Sequence, residues 1–422
     1  MLLSFRVRNF RSIAGEAVLS LRPVDAYHEW PGTVVVLPRF NVLTVAGIYG
    51  ANASGKSNIV RAARFMRHTV LRSTRMGSVD SLCTEPFALD TEHRSAPSLF
   101  EMAFEIDGRV YRYGFELTAE RILSEWLFVS LGGARSVERP LFIREGGTLV
   151  KISERAMPEA AKLDMMTVLA NTLVLPRLDQ LNGMTAKAVM KWFSDMRVLS
   201  GSNSDGFARY TADLLSNAAS HDSIISFLRL ADRIIVDAHA EEVEDSLFPP
   251  SWAHEKKTVR FRRNVIQIAR RDASGNNVSF DMDRQESEGT AKMFGLAGPL
   301  TDILRNGYTA FIDELESKLH PMLTRKIIRL FTNPTTNPKH AQLVFVSQDA
   351  LQFKLGFGRL RRDQIWFCEK DDWGRTDLYC LSSVKSGASI RKDEDLGKKY
   401  LEGRYGGIPE FVRSDGGSPR EP

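Results

Sequence analysis

The run Gly50-Ala51-Asn52-Ala53-Ser54-Gly55-Lys56-Ser57 constrains this chain more than any other stretch. It fits the template of a glycine, four residues, then Gly-Lys-Ser, in which the backbone N–H groups of a tight loop cradle phosphates. Its flanks fit as well. Residues 42–48 form an apolar run that reads as a buried strand, and residues 58–66, beginning with Asn58, read as a helix. Strand, glycine-rich turn and helix aim the loop N–H groups and the positive helix end at one point, where a polyphosphate sits. Lys56 is expected to reach the β- and γ-phosphates of a nucleotide, and Ser57 to hold Mg²⁺.

A second element lies far along the chain. Tyr308-Thr309-Ala310-Phe311-Ile312-Asp313-Glu314 is an apolar strand ending in two carboxylates. Alone, such a pair reads as two exposed turn acids. With the phosphate loop present, Asp313 is expected in the Mg²⁺ shell opposite Ser57. Glu314 is expected to orient and deprotonate an attacking water. A third element, Glu286-Ser287-Glu288-Gly289-Thr290, precedes these acids. Ser287 is a good helix N-cap, and Gly289 lets a phosphate approach the backbone closely. Taken alone it reads as an ordinary capped helix. Its position just before the acid-bearing strand resembles that of the Ser-Gly signature of ABC-type ATPases, and that resemblance implies a contact with the γ-phosphate held by a second subunit.

The chain has 422 residues, 43% hydrophobic, which allows two or three domains with real cores. Net charge is only +5, compatible with nucleic acid without requiring it. Basic clusters occur at Lys256-Lys257 with Arg260, Arg262 and Arg263, at Arg270-Arg271, and at Arg359 with Arg361-Arg362. Each reads equally as a solvated face or a nucleic-acid patch. Cys83, Cys368 and Cys380 show no metal-binding spacing, so reduced thiols in a cytoplasmic protein are expected. An arginine at position 6 interrupts any secretory h-region, and no apolar run of about 20 residues predicts a membrane span.

Residues 2–8 and 17–22 read as strands. Residues 100–106 and 110–117 alternate around Asp107-Gly108, a strong hairpin signal. Further strands are expected at 126–131 and 148–152. Composition shifts near residue 153, and 186–198, 208–218 and 222–236 read as helices of an arm. Alternation returns over 258–281, a helix follows Ser287, another covers 321–331, and strands cover 342–346 and parts of 364–382. The expected fold is therefore α/β. Its parts are an N-terminal ATPase half with a β-rich layer (1–152), a helical insertion (153–257), a C-terminal ATPase half (258–402) and a tail (403–422).

Several motifs together resemble one family. Residues 5–13, Phe-Arg-Val-Arg-Asn-Phe-Arg-Ser-Ile, are similar to the opening strand of the RecF, SMC and Rad50 group, as are Asn52 and Ser57-Asn58. Ser287-Glu288-Gly289-Thr290, Asp313-Glu314-Leu315-Glu316, Leu319-His320-Pro321 and the run from Lys399 to Pro409 resemble the ABC-type, AAA family ATPases of bacterial abortive-infection and anti-phage systems. RloA-like proteins, AbiL and the AriA subunit of PARIS are examples. The resemblance implies an ABC-type head that sandwiches ATP and Mg²⁺ between two copies. Hydrolysis would gate a separately encoded effector, such as a TOPRIM-type nuclease, after a phage protein or nucleic acid acts as trigger. A RecF-like DNA clamp shares every nucleotide motif and stays open. The family's switch residue is usually a His; here Ser347-Gln348-Asp349 stands in its place, and Gln348 cannot carry an imidazolium charge. Slow hydrolysis is expected. Tyr400, Arg404 and Tyr405 read as a packed C-terminal segment or a partner contact. A nuclease in this chain and a transport role are disfavoured, the first because no compact Glu plus Asp-x-Asp set follows Glu316.

Overall fold

A computed structural model describes residues 1–133, 136–201, 205–247, 259–349, 360–384 and 396–408. The alternating pattern near the N-terminus forms β1 (Leu2–Phe10) and β2 (Ile13–Ser20). A small ladder, β3 (Val34–Val36) with β4 (Asn41–Leu43), leads into β5 (Val45–Tyr49), which is buried throughout. After the phosphate loop come α1 (Lys56–Arg72) and the short α2 (Thr91–Ser95). β6 (Ser98–Ile106) and β7 (Arg109–Leu117) form the expected hairpin. Ile106 pairs with Arg109, and Asp107 and Gly108 both have positive φ, 49° and 75°, as a type I′ turn requires. β8 (Ile122–Ser130), β9 (Arg139–Glu145) and β10 (Thr148–Ile152) complete a seven-stranded antiparallel sheet, ordered β10-β9-β8-β7-β6-β1-β2.

The span expected to be a helical arm contains α3 (Pro158–Ala161), α4 (Val174–Gln180), α5 (Met184–Asp195), α6 (Asp205–Leu215) and α7 (Ala218–Leu228). It also contains two strands that the helical reading missed, β11 (Arg197–Ser200) and β12 (Ile235–Leu247). The helix expected over 222–236 stops at Leu228. The β-branched run Ile234-Ile235-Val236 suits a pleated surface better than a helix. The described helices fold onto the head. Leu173, Leu175, Val189 and Phe193 share a core with the seven-stranded sheet, and Ile224, Phe227 and Leu228 join a second core. Glu125, fully buried on β8, ties α4 to that sheet by accepting hydrogen bonds from Tyr113 Oη (2.8 Å) and the Val174 and Leu175 N–H groups (2.6 and 2.9 Å).

β12 pairs with β13 (Val259–Arg271), and β13 with β14 (Asn277–Asp281). Then follow α8 (Met282–Gln285), α9 (Glu288–Asn306), β15 (Thr309–Asp313), α10 (Pro321–Thr332), β16 (Gln342–Val346), the hairpin β17 (Ile365–Lys370) and β18 (Thr376–Cys380), and α11 (Leu396–Leu401). The central sheet is ordered β11-β15-β16-β5-β17-β18 and is parallel except for its last pair. Near-continuous apolar strands are what a sheet covered on both faces demands. Ala46, Ile48, Phe311, Val344 and Val346 face the antiparallel sheet, whereas Val45, Tyr49, Ala310, Ile312, Leu343 and Phe345 face α6, α7, α9 and α10. Gln342 stitches the layers: its buried Nε2 donates to the Leu2 and Leu43 carbonyls at 2.9 and 3.0 Å.

The architecture is thus the α/β head with an antiparallel β-rich layer expected from the sequence. Of the basic clusters, Arg271 is exposed, as a solvated face would have it, but the other described side chains fit neither reading. Arg361 is buried against Asp363 (2.7 Å), Arg362 pairs with Glu29 (2.6 Å), and Arg270 pairs with Asp232 and Glu286. These arginines hold the fold together. Lys256, Lys257, Arg359 and the tail beyond residue 408 lie outside the described residues. Among the described residues, no helix is long and apolar enough to cross a membrane.

Candidate functional site

β5, β16 and β15 lie side by side and parallel, so the loops at their carboxyl ends open at one edge. That edge is where ligands bind in open α/β sheets. It gathers the phosphate loop after β5, Asp313 and Glu314 after β15, and Gln348 after β16.

The loop's conformation depends on its glycines. Gly50 has φ 151° and Gly55 has φ 99°. A Cβ on Gly50 would sit 2.3 Å from the Cys368 carbonyl oxygen, and one on Gly55 would sit 2.0 Å from Thr376 Oγ1. Ala53 also takes the left-handed region, at φ 62°. A hydroxyl relay braces the loop from outside. Asn58 Nδ2 donates to Ser12 Oγ (2.6 Å), Ser12 Oγ to Thr376 Oγ1 (2.7 Å), and Thr376 Oγ1 to the Ser54 carbonyl (2.8 Å). The relay joins the β1–β2 turn, the start of α1 and β18, and sequence inspection did not find it.

Lys56 is buried, and its ammonium donates to the carbonyls of Gly50 (2.7 Å) and Ala51 (2.5 Å). Burial lowers its pKa, while Cys368, Glu316, Asp313 and Glu314 pull it back up. Ser57 Oγ donates to Asp313 Oδ1 at 2.8 Å, so the two expected metal ligands meet across 256 residues of sequence. Two hard oxygen donors suit Mg²⁺, which keeps several waters and takes substrate phosphates for the rest of its shell. Among the described residues no cluster of three or more His, Cys, Asp or Glu could hold a metal by itself.

Glu314 has φ 52°, a left-handed backbone that a non-glycine residue adopts at a cost of about 1–3 kcal/mol. Two neighbours hold it there. Gly201 N–H donates to the Asp313 carbonyl (2.6 Å), and a Cβ on Gly201 would lie 2.0 Å from the Glu314 carbonyl oxygen. Lys292 Nζ donates to the same carbonyl at 3.3 Å. Lys292 lies on α9 and is only 1% exposed. Burial lowers its pKa to about 8 against the upward pull of Glu316 and Glu314. Neither Gly201 nor Lys292 stood out in the sequence, because only tertiary packing brings them to the acids.

Glu316, part of the motif read in the sequence, lines the same cleft as Glu314. Burial raises its pKa, partly offset by the Gln348 N–H, which donates to Oε1 at 2.6 Å. A cleft of about 420 Å³ is lined by Asn52, Lys56, Ser57, Glu314, Glu316 and Gln348, with Arg61 and Lys370 at its margin. A larger depression of about 910 Å³ lies at the other end of the seven-stranded sheet, around Arg39, Arg109 and Arg139. It holds none of the expected nucleotide motifs, so chemistry and not size selects the smaller cleft.

Ser287 and Gly289 do not line this cleft. Ser287 caps α9, its Oγ accepting from Thr290 N–H at 3.1 Å, and it is exposed. Glu288 pairs with Lys318 at 3.5 Å, which holds the signature beside the loop after the acids. Arg270, bonded to Glu286, anchors the residue just before the cap. The α9 N-terminus therefore lies outside the cleft, while Lys292, on the same helix, reaches Glu314 of the same chain.

No curated protein sequence matches this chain. Among solved structures, one similar chain is the Smc head domain with an extended coiled coil, bound to the C-terminal domain of ScpA, derived from Pyrococcus furiosus. It is 12% identical, with 95% of this chain and 98% of that chain covered and a TM-score of 0.36. The family described as "AAA domain, putative AbiEii toxin, Type IV TA system" matches residues 45–147 and 203–351. Those segments hold the phosphate loop, signature, paired acids and Gln348, and they cover more than half of the sequence. The chain belongs to this AbiEii-type AAA family.

Proposed function

We propose that this protein binds and hydrolyses ATP with Mg²⁺, and that ATP-dependent pairing of two heads gates a separate effector in anti-phage defence. The observation that carries the nucleotide chemistry is the 2.8 Å meeting of Ser57 and Asp313 beside Lys56 and Glu314 in one cleft. Loop N–H groups and Lys56 would bind the β- and γ-phosphates, with Ser57 and Asp313 as the chain's own metal ligands. Bound Mg²⁺ supplies charge neutralisation on the phosphate oxygens. The Glu314 carboxylate takes a proton from the attacking water as its oxygen bonds to the γ-phosphorus and the bond to the ADP oxygen breaks. Gln348 would hydrogen-bond the γ-phosphate or the water without adding charge.

Head pairing is supported by the position of the signature, with Ser287 exposed and neither it nor Gly289 lining the chain's own cleft. Ser287 and Gly289 would complete the second head's site, making an interface that exists only while a γ-phosphate is present. The family's description as a putative AbiEii toxin of a type IV TA system supports the defence setting. The test is particle size and ATP turnover for wild type and Glu314→Gln, with and without ATP-Mg²⁺. Removing a general base should lower turnover about 10²–10⁴-fold. The variant should still assemble with ATP. Assembly without ATP and no turnover by either protein would sink the proposal. Turnover that requires duplex DNA would favour a DNA clamp over effector gating.

A further inference from the structure

Residues 396–408 lie outside the matched family segments, and none of them lines the nucleotide cleft. They nevertheless pack on the back of the phosphate loop. Tyr400 and Tyr405 are buried, and both stack on Phe367 of β17, with centroids 5.3 and 6.2 Å away and planes within 12° and 24°. Tyr379 Oη donates to the Tyr405 carbonyl at 2.8 Å, and Tyr400 Oη donates to the Gly407 carbonyl at 2.8 Å. These contacts place Gly407, at φ 66°, directly against the loop: a Cβ there would lie 3.5 Å from Gly50 Cα. On another side Gly50 meets the Cys368 carbonyl. Its own carbonyl accepts the Lys56 ammonium.

We propose that residues 396–408 form a strap that holds Gly50, and through it Lys56, in the phosphate-binding conformation, so that ATP affinity and strap docking are coupled. This rests on the reading of the loop as an ATP site. A loop with left-handed residues at 53 and 55 loses conformational freedom when it closes on phosphate, and a ligand that must order it binds more weakly. The strap supplies that order beforehand. It touches the loop's back and no reacting atom, so it acts on binding and not on the chemical step. Coupling is reciprocal: whatever factor the strap contributes to ATP affinity, ATP contributes to strap docking.

The experiment uses the full chain and Tyr400→Phe, which keeps the ring that stacks on Phe367 and removes the hydroxyl that bonds the Gly407 carbonyl. A fluorescent ATP analogue reads Kd, steady-state turnover reads kcat, and a thermal melt checks folding. Loss of one buried hydrogen bond should weaken ATP binding about threefold to tenfold. The kcat at saturation should stay within about twofold. In parallel, trypsin cleavage at the exposed Lys398 and Arg404 is timed with and without ATP-Mg²⁺. ATP should slow strap cleavage in wild type, and less so in the variant. If wild type binds ATP but strap cleavage ignores it and Tyr400→Phe keeps wild-type Kd, the strap is only structural and the proposal is overturned. If wild type binds no ATP, the phosphate-loop reading fails first and the strap falls with it.

Discussion

Lys292→Met should make this protein more stable and a poorer ATPase. Lys292 is 1% exposed, and its pKa is pushed from 10.5 to about 8. Burial is the leading cause; the acids near it restore only part of the loss. The lowering corresponds to at most about 3 kcal/mol, at 1.36 kcal/mol per pKa unit. The sign follows from proton counts. Between about 8 and 10.5 the unfolded chain holds the proton and the folded chain does not, so stability rises with pH across that window. Below about 8 both states are protonated and the full penalty is present. Methionine keeps the unbranched stem and removes the buried charge, at the loss of one hydrogen bond worth about 1 kcal/mol. The net gain at pH 7 should be about 1–2 kcal/mol, or a few degrees in Tm. Paired melts of wild type and variant at pH 7 and pH 10 check it, and the gap should shrink at the higher pH. Turnover should fall, because the bond that helps hold the left-handed Glu314 backbone is lost. A variant less stable than wild type at pH 7, by a margin that does not change with pH, would refute the reasoning. The ammonium would then be a net stabiliser through Glu314 and Glu316.

Other outcomes follow from single contacts. Gly201→Ala forces a Cβ against the Glu314 carbonyl and should lower turnover about tenfold or more with ATP affinity little changed, as read by separate binding and turnover assays. Thr376→Val breaks the relay to Ser12 and the Ser54 carbonyl, and should weaken ATP binding about threefold to tenfold in a titration. Glu125→Ala strips the α4 N–H groups and Tyr113 of their buried acceptor, and should cost about 3–5 kcal/mol in a denaturant melt. Gln348→His restores an imidazole to the cleft, and should raise turnover and add a pH dependence near 6.5, measured from pH 5.5 to 8.

Much of the site was legible before folding because its signals are local. Gly50 to Ser57 specifies a turn whose dihedrals few other residues tolerate, and the apolar run before it must be a buried strand. Asp313 and Glu314 end a strand of the same kind, and Ser287 is a helix cap wherever it sits. Each of these states a backbone conformation or side-chain chemistry within a few residues, so spacing alone carries it. The β6–β7 hairpin was legible for the same reason, since Asp107-Gly108 supplies both positive φ angles.

What only tertiary structure decided is which distant residues complete those local elements. β11 and β12 became strands through pairing with β15 and β13, partners that no window of local sequence contains. Gly201, Lys292 and Thr376 look ordinary in sequence, and the motifs that hold Glu316 and Gly407 do not say what those two residues touch. These residues matter because packing brings them to the site: Gly201 and Lys292 meet the Glu314 carbonyl, Gln348 N–H bonds Glu316, Thr376 bonds the Ser54 carbonyl, and Gly407 lies against Gly50. Sequence alone singled out the Gly50–Ser57 loop, the oxygen donors and the candidate base, because bond geometry and side-chain chemistry are local properties. The positioning of those groups was settled by packing, because burial of a charge, strain at Glu314 and support behind Gly50 exist only once remote segments share one interior.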